Sequence, residues 1–88
     1  MKEDIGDRIN ELLTHFSMSK AELSRRMGLN NAVTISRITG DHVKPSYEIL
    51  LRILEIFPET NANWLLTGEG EMIIDRYKNI GDPVKSMF

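Results

Sequence analysis

Two short helix patterns, separated by a glycine, constrain the fold more than any other feature of the sequence. Ser19 and Glu22 have the spacing of a capping box, in which both side chains bind backbone N–H groups at a helix start. Gly28 offers the left-handed residue that ends a helix, and Leu29 is placed to pack back onto it. The pattern therefore predicts a helix over residues 20–27. Its inward-facing side chains are Leu23 and Met27.

A second helix is predicted directly after this turn, over residues 31–39. Asn30 and Asn31 are both plausible N-caps, because asparagine readily accepts a hydrogen bond from the first helical turn. Ile35 and Ile38 lie three residues apart and are expected to be buried together. The side chains left outside are Ala32, Val33, Thr34, Ser36 and Arg37. Small polar side chains with one arginine suit contact with a DNA groove better than a dimer core.

Three further helices are predicted around this pair. Apolar residues at steps of three and four indicate an amphipathic helix over about 4–16. Ser46 caps an apolar helix over about 47–57, and Asn61 caps a short one that ends at Gly68. The sequence thus predicts an all-α domain of five helices.

The end of the chain is harder to interpret, and two alternatives stay open for its structure. Residues 72–74 resemble a short strand, whereas Ile73, Tyr77, Ile80 and Val84 keep helical spacing. We divide the chain into a domain over residues 1–70 and a C-terminal extension over 71–88. The extension is expected either to take part in dimerisation or to be partly disordered.

Charge is distributed unevenly along these 88 residues, which suffice for one domain. The net charge is −2, whereas nucleic-acid-binding domains are usually basic. Residues 19–52, however, contain six Lys and Arg against three Asp and Glu, and both flanking segments have an acidic excess. This pattern favours one anion-facing surface. A chance imbalance on a solvated surface is the alternative.

Several function classes are disfavoured by the composition. There is no cysteine, which excludes disulfides, thiolate metal sites and cysteine nucleophiles. His15 and His42 are too few and too far apart for a metal site, and the serines are better explained as helix caps than as nucleophiles. No apolar run could cross a bilayer, and the N-terminal residues lack a secretion signal. We therefore expect a cytoplasmic protein that is not an enzyme and needs no cofactor or metal.

Taken in order, these signals resemble the phage-repressor-like helix-turn-helix domains of the Cro-type, XRE family. The resemblance covers about residues 5–72 and depends on the order and spacing of several motifs rather than on any one. The matching segments are Ser19–Ser24, Met27–Leu29, Ile35–Ile38, Gly40, Lys44–Ser46 and Trp64–Gly70.

The resemblance implies a lambda-repressor-like fold and a dimer that binds a double-stranded DNA operator to regulate transcription, as a repressor. The residues that it assigns to base contacts are Asn31, Ala32, Val33, Thr34 and Arg37. The residues that it assigns to phosphate contacts are Ser19, Lys20, His42 and Lys44. General chemistry supports several of these roles, since arginine can bind guanine and asparagine can bind adenine with two hydrogen bonds each.

A protein-interaction module on the same fold, such as an antitoxin or an adaptor, is the alternative function. It is suggested by the acidic balance, by the apolar fourth helix and by the C-terminal extension. For the expected homodimer, the second apolar side of the fourth helix (Ile49, Leu51 and Ile56) and the extension are the predicted interface.

Overall fold

The computed structural model describes residues 4–74, which form five α-helices and no extended strand, as predicted. The helices are α1 (Ile5–His15), α2 (Lys20–Arg26), α3 (Val33–Gly40), α4 (Tyr47–Ile56) and α5 (Ala62–Thr67). α1 contacts α3 and α5, and α2 contacts α3. No helix within these residues combines the length and the apolarity needed to cross a membrane.

The turn between α2 and α3 has the predicted glycine geometry. Gly28 is left-handed, with φ of +81°, and Leu29 N donates to the Ser24 carbonyl at 2.9 Å. This bond closes the end of α2 as expected for a glycine-terminated helix. Arg52 of α4 adds a contact that the sequence did not indicate, because its guanidinium donates to the Met27 carbonyl at the same turn.

The helix starts agree only partly with the capping predictions. Ser19 Oγ accepts the Glu22 N–H at 3.0 Å, but the Glu22 carboxylate does not return a bond to the backbone of Ser19. It pairs instead with Arg25 and Arg26, one turn further along α2, because two guanidinium groups attract a carboxylate more strongly than one neutral N–H does. The predicted reciprocal capping box is therefore wrong at this position.

A complete capping box occurs instead at the start of α1. The Asp4 carboxylate accepts the Asp7 N–H at 3.1 Å, and the Asp7 carboxylate accepts the Asp4 N–H at 3.2 Å. Ser46 and Asn61 cap α4 and α5 as predicted, and Gly68 ends α5 with φ of +85°. The aspartate pair was missed because capping boxes are usually recognised as serine or threonine followed by glutamate or glutamine.

α3 starts two residues later than predicted, at Val33 rather than at position 31. Asn31 does act near the helix start, since its Oδ1 accepts the Val33 N–H at 2.9 Å. However, this bond reaches only two residues ahead, so it forms a turn before the helix, and Ala32 occupies the N-cap without a side-chain bond. Residues 31 and 32 therefore precede the helix, which extends to Gly40.

The core is built from all five helices, and it includes Leu23, Met27, Ile35 and Ile38, whose burial the sequence predicted. Ile35 and Ile38 are both buried, as are Phe57 and Trp64. The phenyl rings of Phe57 and Phe16 stack with centroids 4.6 Å apart. The other buried apolar side chains are Ile9, Leu12, Leu13, Leu23, Met27, Ile53 and Leu65.

Gly6 in α1 permits the close approach of α1 to α3. A Cβ at this position would overlap the Ile38 carbonyl oxygen and lie 3.3 Å from Thr39 Cα. The backbones of the two helices are therefore in direct contact. This contact fixes the inner side of α3 and leaves its opposite side outermost.

The first residues of the predicted extension pack on the five-helix domain. Asn61 N donates to the Met72 carbonyl at 2.8 Å, Ile74 N donates to the Glu59 carbonyl at 2.7 Å, and Thr60 and Ile73 form an isolated antiparallel bridge. The strand-like interpretation of residues 72–74 is thus nearer to the structure than a helix. The predictions made for residues 75–88 lie outside the described part of the chain.

Candidate nucleic-acid interface

The outer face of α3, which we define as Val33, Thr34, Ser36 and Arg37, consists entirely of exposed side chains. At 3.6 residues per turn, Val33, Ser36 and Arg37 point away from the buried Ile35 and Ile38, and Thr34 lies at the side. Val33 keeps half of its surface exposed. The face carries one cation and no acid.

The two other residues predicted to contact bases lie in the turn before α3. Asn31 is exposed and Ala32 is half-buried. Asn31 Oδ1 already accepts the Val33 N–H, so its amide NH2 and the second lone pair of this oxygen are left for an outside partner. The bond to Val33 fixes the orientation of the side chain, so an Asn–adenine contact with two hydrogen bonds would have to use the amide in this orientation.

Ser19 and Lys20, predicted to contact phosphate, lie at the junction of α1 and α2. They line a surface groove together with Asn10 and Thr14 of α1. Ser17, on the same groove, has a left-handed backbone with φ of 55°. The lining residues include no carboxylate, and the hydroxyl and amide groups around Lys20 suit an anion.

His42 and Lys44 lie in the loop between α3 and α4. The Arg37 carbonyl accepts the N–H groups of Asp41 and Val43, at 2.9 and 3.1 Å, which ties this loop to the end of α3. Lys44 is exposed. Hence one residue, Arg37, places its side chain on the outer face and uses its backbone to hold the neighbouring loop.

His42 differs from Lys44 because its ring faces an acid. Its Nδ1 lies 2.6 Å from Asp4 Oδ2, and its backbone is left-handed with φ of 60°. The Asp7 amide, together with His42, holds the pKa of the Asp4 carboxyl below its ordinary value. Only the other ring nitrogen of His42 is left for a phosphate.

The six lysines and arginines of the basic segment, residues 19–52, divide into paired and unpaired cations. Arg25 and Arg26 pair with Glu22, and Arg52 pairs with Glu48. Arg26, followed by Arg25, lowers the pKa of Glu22. Lys20, Arg37 and Lys44 make no ion pair or hydrogen bond through their side chains within residues 4–74. These three are the cations that the sequence assigned to DNA.

Two features near the candidate interface were missed at the sequence level. Arg8 is buried in α1, and its Nε donates to the Leu65 carbonyl at 2.8 Å. Asp4, Asp7 and His42 bring potential metal-ligand atoms within 4.8 Å of one another. Their mutual hydrogen bonds account for this cluster as a helix cap and a loop tether. Both features join segments far apart in the chain, so no local spacing could reveal them.

No family model, curated protein or solved structure matches this chain.

Proposed function

We propose that this protein is a sequence-specific double-stranded DNA-binding regulator of transcription, probing the major groove with α3. One observation carries the proposal: the outer face of α3 is exposed, free of acids and held outward by two buried isoleucines. An α-helix fits the major groove of B-DNA, where base pairs present distinguishable patterns of donors and acceptors. The proposal includes a cytoplasmic location, a homodimer and action as a repressor.

Arg37 is the side chain proposed to read a base. Its guanidinium has no acidic partner among the described residues and can donate two hydrogen bonds to guanine O6 and N7. Thr34 and Val33 present methyl groups suited to contact with thymine methyl. The small neighbours of Arg37 allow the helix to approach the base edges closely.

Lys20 and Lys44 are proposed to bind phosphates beside the major groove of DNA. They come from the start of α2 and from the loop after α3, so they precede and follow the outer face along the chain. Such contacts position the protein without reading sequence, and they release counterions when they form. Ser19 and the free nitrogen of His42 are weaker candidates for the same role.

Selection of bound duplexes from a random DNA pool tests this function. We expect one enriched motif with two related half-sites about 34 Å apart, because each copy of a dimer would present one α3 to the same side of DNA. The selected duplex should then bind more weakly as salt rises, with a log–log slope near −0.9 per neutralised phosphate. A pool without enrichment, or binding that ignores salt, would contradict the proposal.

A Val33→Glu variant is the control for the surface used. The added carboxylate lies on the outer face of α3 and should repel phosphates, while the half-exposed position spares the core. Loss of DNA binding with an unchanged circular dichroism spectrum is the expected result. DNA binding as strong as that of the native chain would show that α3 does not face the duplex.

The alternative, a protein-interaction module such as an antitoxin or adaptor, is favoured by a different observation. Tyr47, Leu51 and Leu66 are large apolar side chains that stay exposed. Purification from the native cell separates the two functions: a stoichiometric protein partner, together with no DNA affinity, would favour the alternative. Both can hold at once if the partner leaves the outer face of α3 uncovered.

A further inference from the structure

A groove lies away from the outer face of α3, between the start of α1, the loop after α3, α4 and α5. Its volume is about 350 Å³. Most of its lining is apolar, and the apolar residues are Ile5, Val43, Pro45, Leu50 and Leu66. The polar residues that complete the lining are Asp4, Arg8, His42 and Lys44. We call this set the groove face; it includes no residue of the outer face of α3.

Large apolar side chains stand exposed around this groove. Val43 and Leu66, which line it, are 48% and 52% exposed, and Tyr47 is 78% exposed. Tyr47 precedes Leu50 by three residues on α4, so both lie on the same side of that helix. Exposed apolar surface of this kind commonly marks a contact with another molecule. The groove face therefore offers projecting side chains and a hollow on one surface.

Charges of both signs lie on the same face. Lys44 has no partner among the described residues, and Asp4, although it contacts His42, keeps 43% of its side chain exposed. The lining carries an acid as well as cations, so a partner with charges of both signs fits it better than the uniformly anionic surface of DNA or of an anionic membrane. A second copy of the chain, turned by a two-fold axis, supplies both an acid for Lys44 and a lysine for Asp4.

We infer that the groove face is the surface through which two copies of this chain form an isologous dimer. In a two-fold dimer, each contact from one copy to the other occurs twice, so the surface must complement itself. Leu66 of each copy enters the groove of the other, and Lys44 of each copy approaches the other copy's Asp4. Both outer faces of α3 remain uncovered.

This interface differs from the one expected from the sequence. Ile49 and Ile56 of α4 pack partly against the core, which leaves Leu51 as the most exposed of the three predicted residues. The new inference specifies the dimer of the proposed function. Its test uses no DNA, so the two proposals can fail separately.

Sedimentation of the full chain, without DNA, measures the dimer directly. From about 1 µM to about 500 µM we expect a shift from the 10.1 kDa chain to twice that mass. Leu66→Glu should raise the dimer dissociation constant at least about tenfold, because it removes a buried apolar contact and adds a charge to the groove. Val33→Glu, matched in exposure but located on α3, should leave the dissociation constant unchanged.

Disulfide cross-linking provides a second readout that does not depend on the stability of the Leu66→Glu variant. The chain contains no cysteine, so each introduced thiol is unique. Oxidation of a mixture of Val43→Cys and Leu66→Cys chains should give a mixed dimer, whereas Val33→Cys with Leu66→Cys should not. A native chain that remains monomeric, a Leu66→Glu dimer as tight as the native one, or equal cross-linking of both mixtures would overturn the inference.

Discussion

The outer face of α3 and the groove face are both exposed, yet their chemistry differs in a way that points to different partners. The α3 face has small side chains, one arginine and no acid, whereas the groove face has large apolar side chains and charges of both signs. A surface that carries a cation and no acid suits the repeated phosphates of DNA. A surface that carries both charges and apolar projections suits another folded chain.

The comparison shows that position matters more than net charge for this protein. The chain as a whole is acidic, at −2, and half of the cations in its basic middle are paired with neighbouring glutamates. Lys20, Arg37 and Lys44 remain available within the described residues. Lys44 belongs to the groove face and also follows α3, so it links the two surfaces.

The largest effect is expected from Gly6→Ala, which would disturb both surfaces together. A methyl group there would overlap the Ile38 carbonyl, and α1 would have to move away from α3. We expect a loss of about 1–3 kcal/mol or more in the free energy of unfolding, measured by urea denaturation. DNA affinity and dimerisation should both weaken.

Gly40→Ala is the matched control, because its added Cβ meets nothing within 4 Å and Gly40 is not left-handed. This variant should keep or raise stability by about 0.4–1 kcal/mol. Equal stability of the Gly6→Ala and native chains would show that α1 and α3 are less closely packed than described.

Arg37→Ala separates the two surfaces. If the guanidinium binds guanine with two bonds, its loss should cost about 1–3 kcal/mol of affinity for the selected duplex and relax the preference at one base pair. Fluorescence anisotropy with single-base variants of the duplex measures this. Arg25→Ala, which removes an arginine that is paired with Glu22, should leave base preference intact. A specificity profile unchanged by Arg37→Ala would remove the base-reading role.

Lys20→Ala and Lys44→Ala should each have a smaller effect, equal for all DNA sequences. Loss of Lys20 should reduce the magnitude of the salt slope by about 0.9, because one fewer phosphate is neutralised, and loss of Lys44 should reduce it by less, because the Lys44 ammonium also faces Asp4 of the other copy. Only Lys44→Ala should also weaken the dimer measured by sedimentation, since Lys44 belongs to the groove face and Lys20 does not. Identical behaviour of the two variants in sedimentation would contradict the assignment of Lys44 to both surfaces.

The smallest effect concerns pH and the Asp4–His42 contact at the edge of the groove. The Asp7 amide is the main cause that lowers the pKa of Asp4 below its ordinary 3.8 in the folded state. A pKa that is lower in the folded than in the unfolded state stabilises the fold at pH values above the unfolded-state pKa. This contribution is lost as the pH falls through the folded-state pKa. Asp4→Asn keeps a capping side chain but cannot titrate. The melting temperatures of the native and Asp4→Asn proteins should therefore converge below pH 3.8, and a constant difference would contradict the lowered pKa of Asp4.

Local signals in the sequence predicted the helices well because caps and stops depend on neighbouring residues. Ser46, Asn61, Gly28 and Gly68 act where their types and positions indicated, and the spacing of Ile35 and Ile38 identified the inner side of α3. A cap bonds an N–H within three residues, so the chain itself brings both groups together. The local pattern failed at the edges of helices: at the start of α3, in the choice of partner for Glu22 and at the Asp4–Asp7 capping box of α1.

The sequence by itself thus determined five helices, their approximate limits and the side chains of α3 that stay outside. Tertiary structure alone decided why Gly6 must lack a side chain, and that Asp4, Val43 and Leu66 share one groove. The physical reason is separation along the chain. Asp4 and His42 are 38 residues apart, and Arg8 and Leu65 are 57 apart. Such groups meet only when the packing of the helices brings them together.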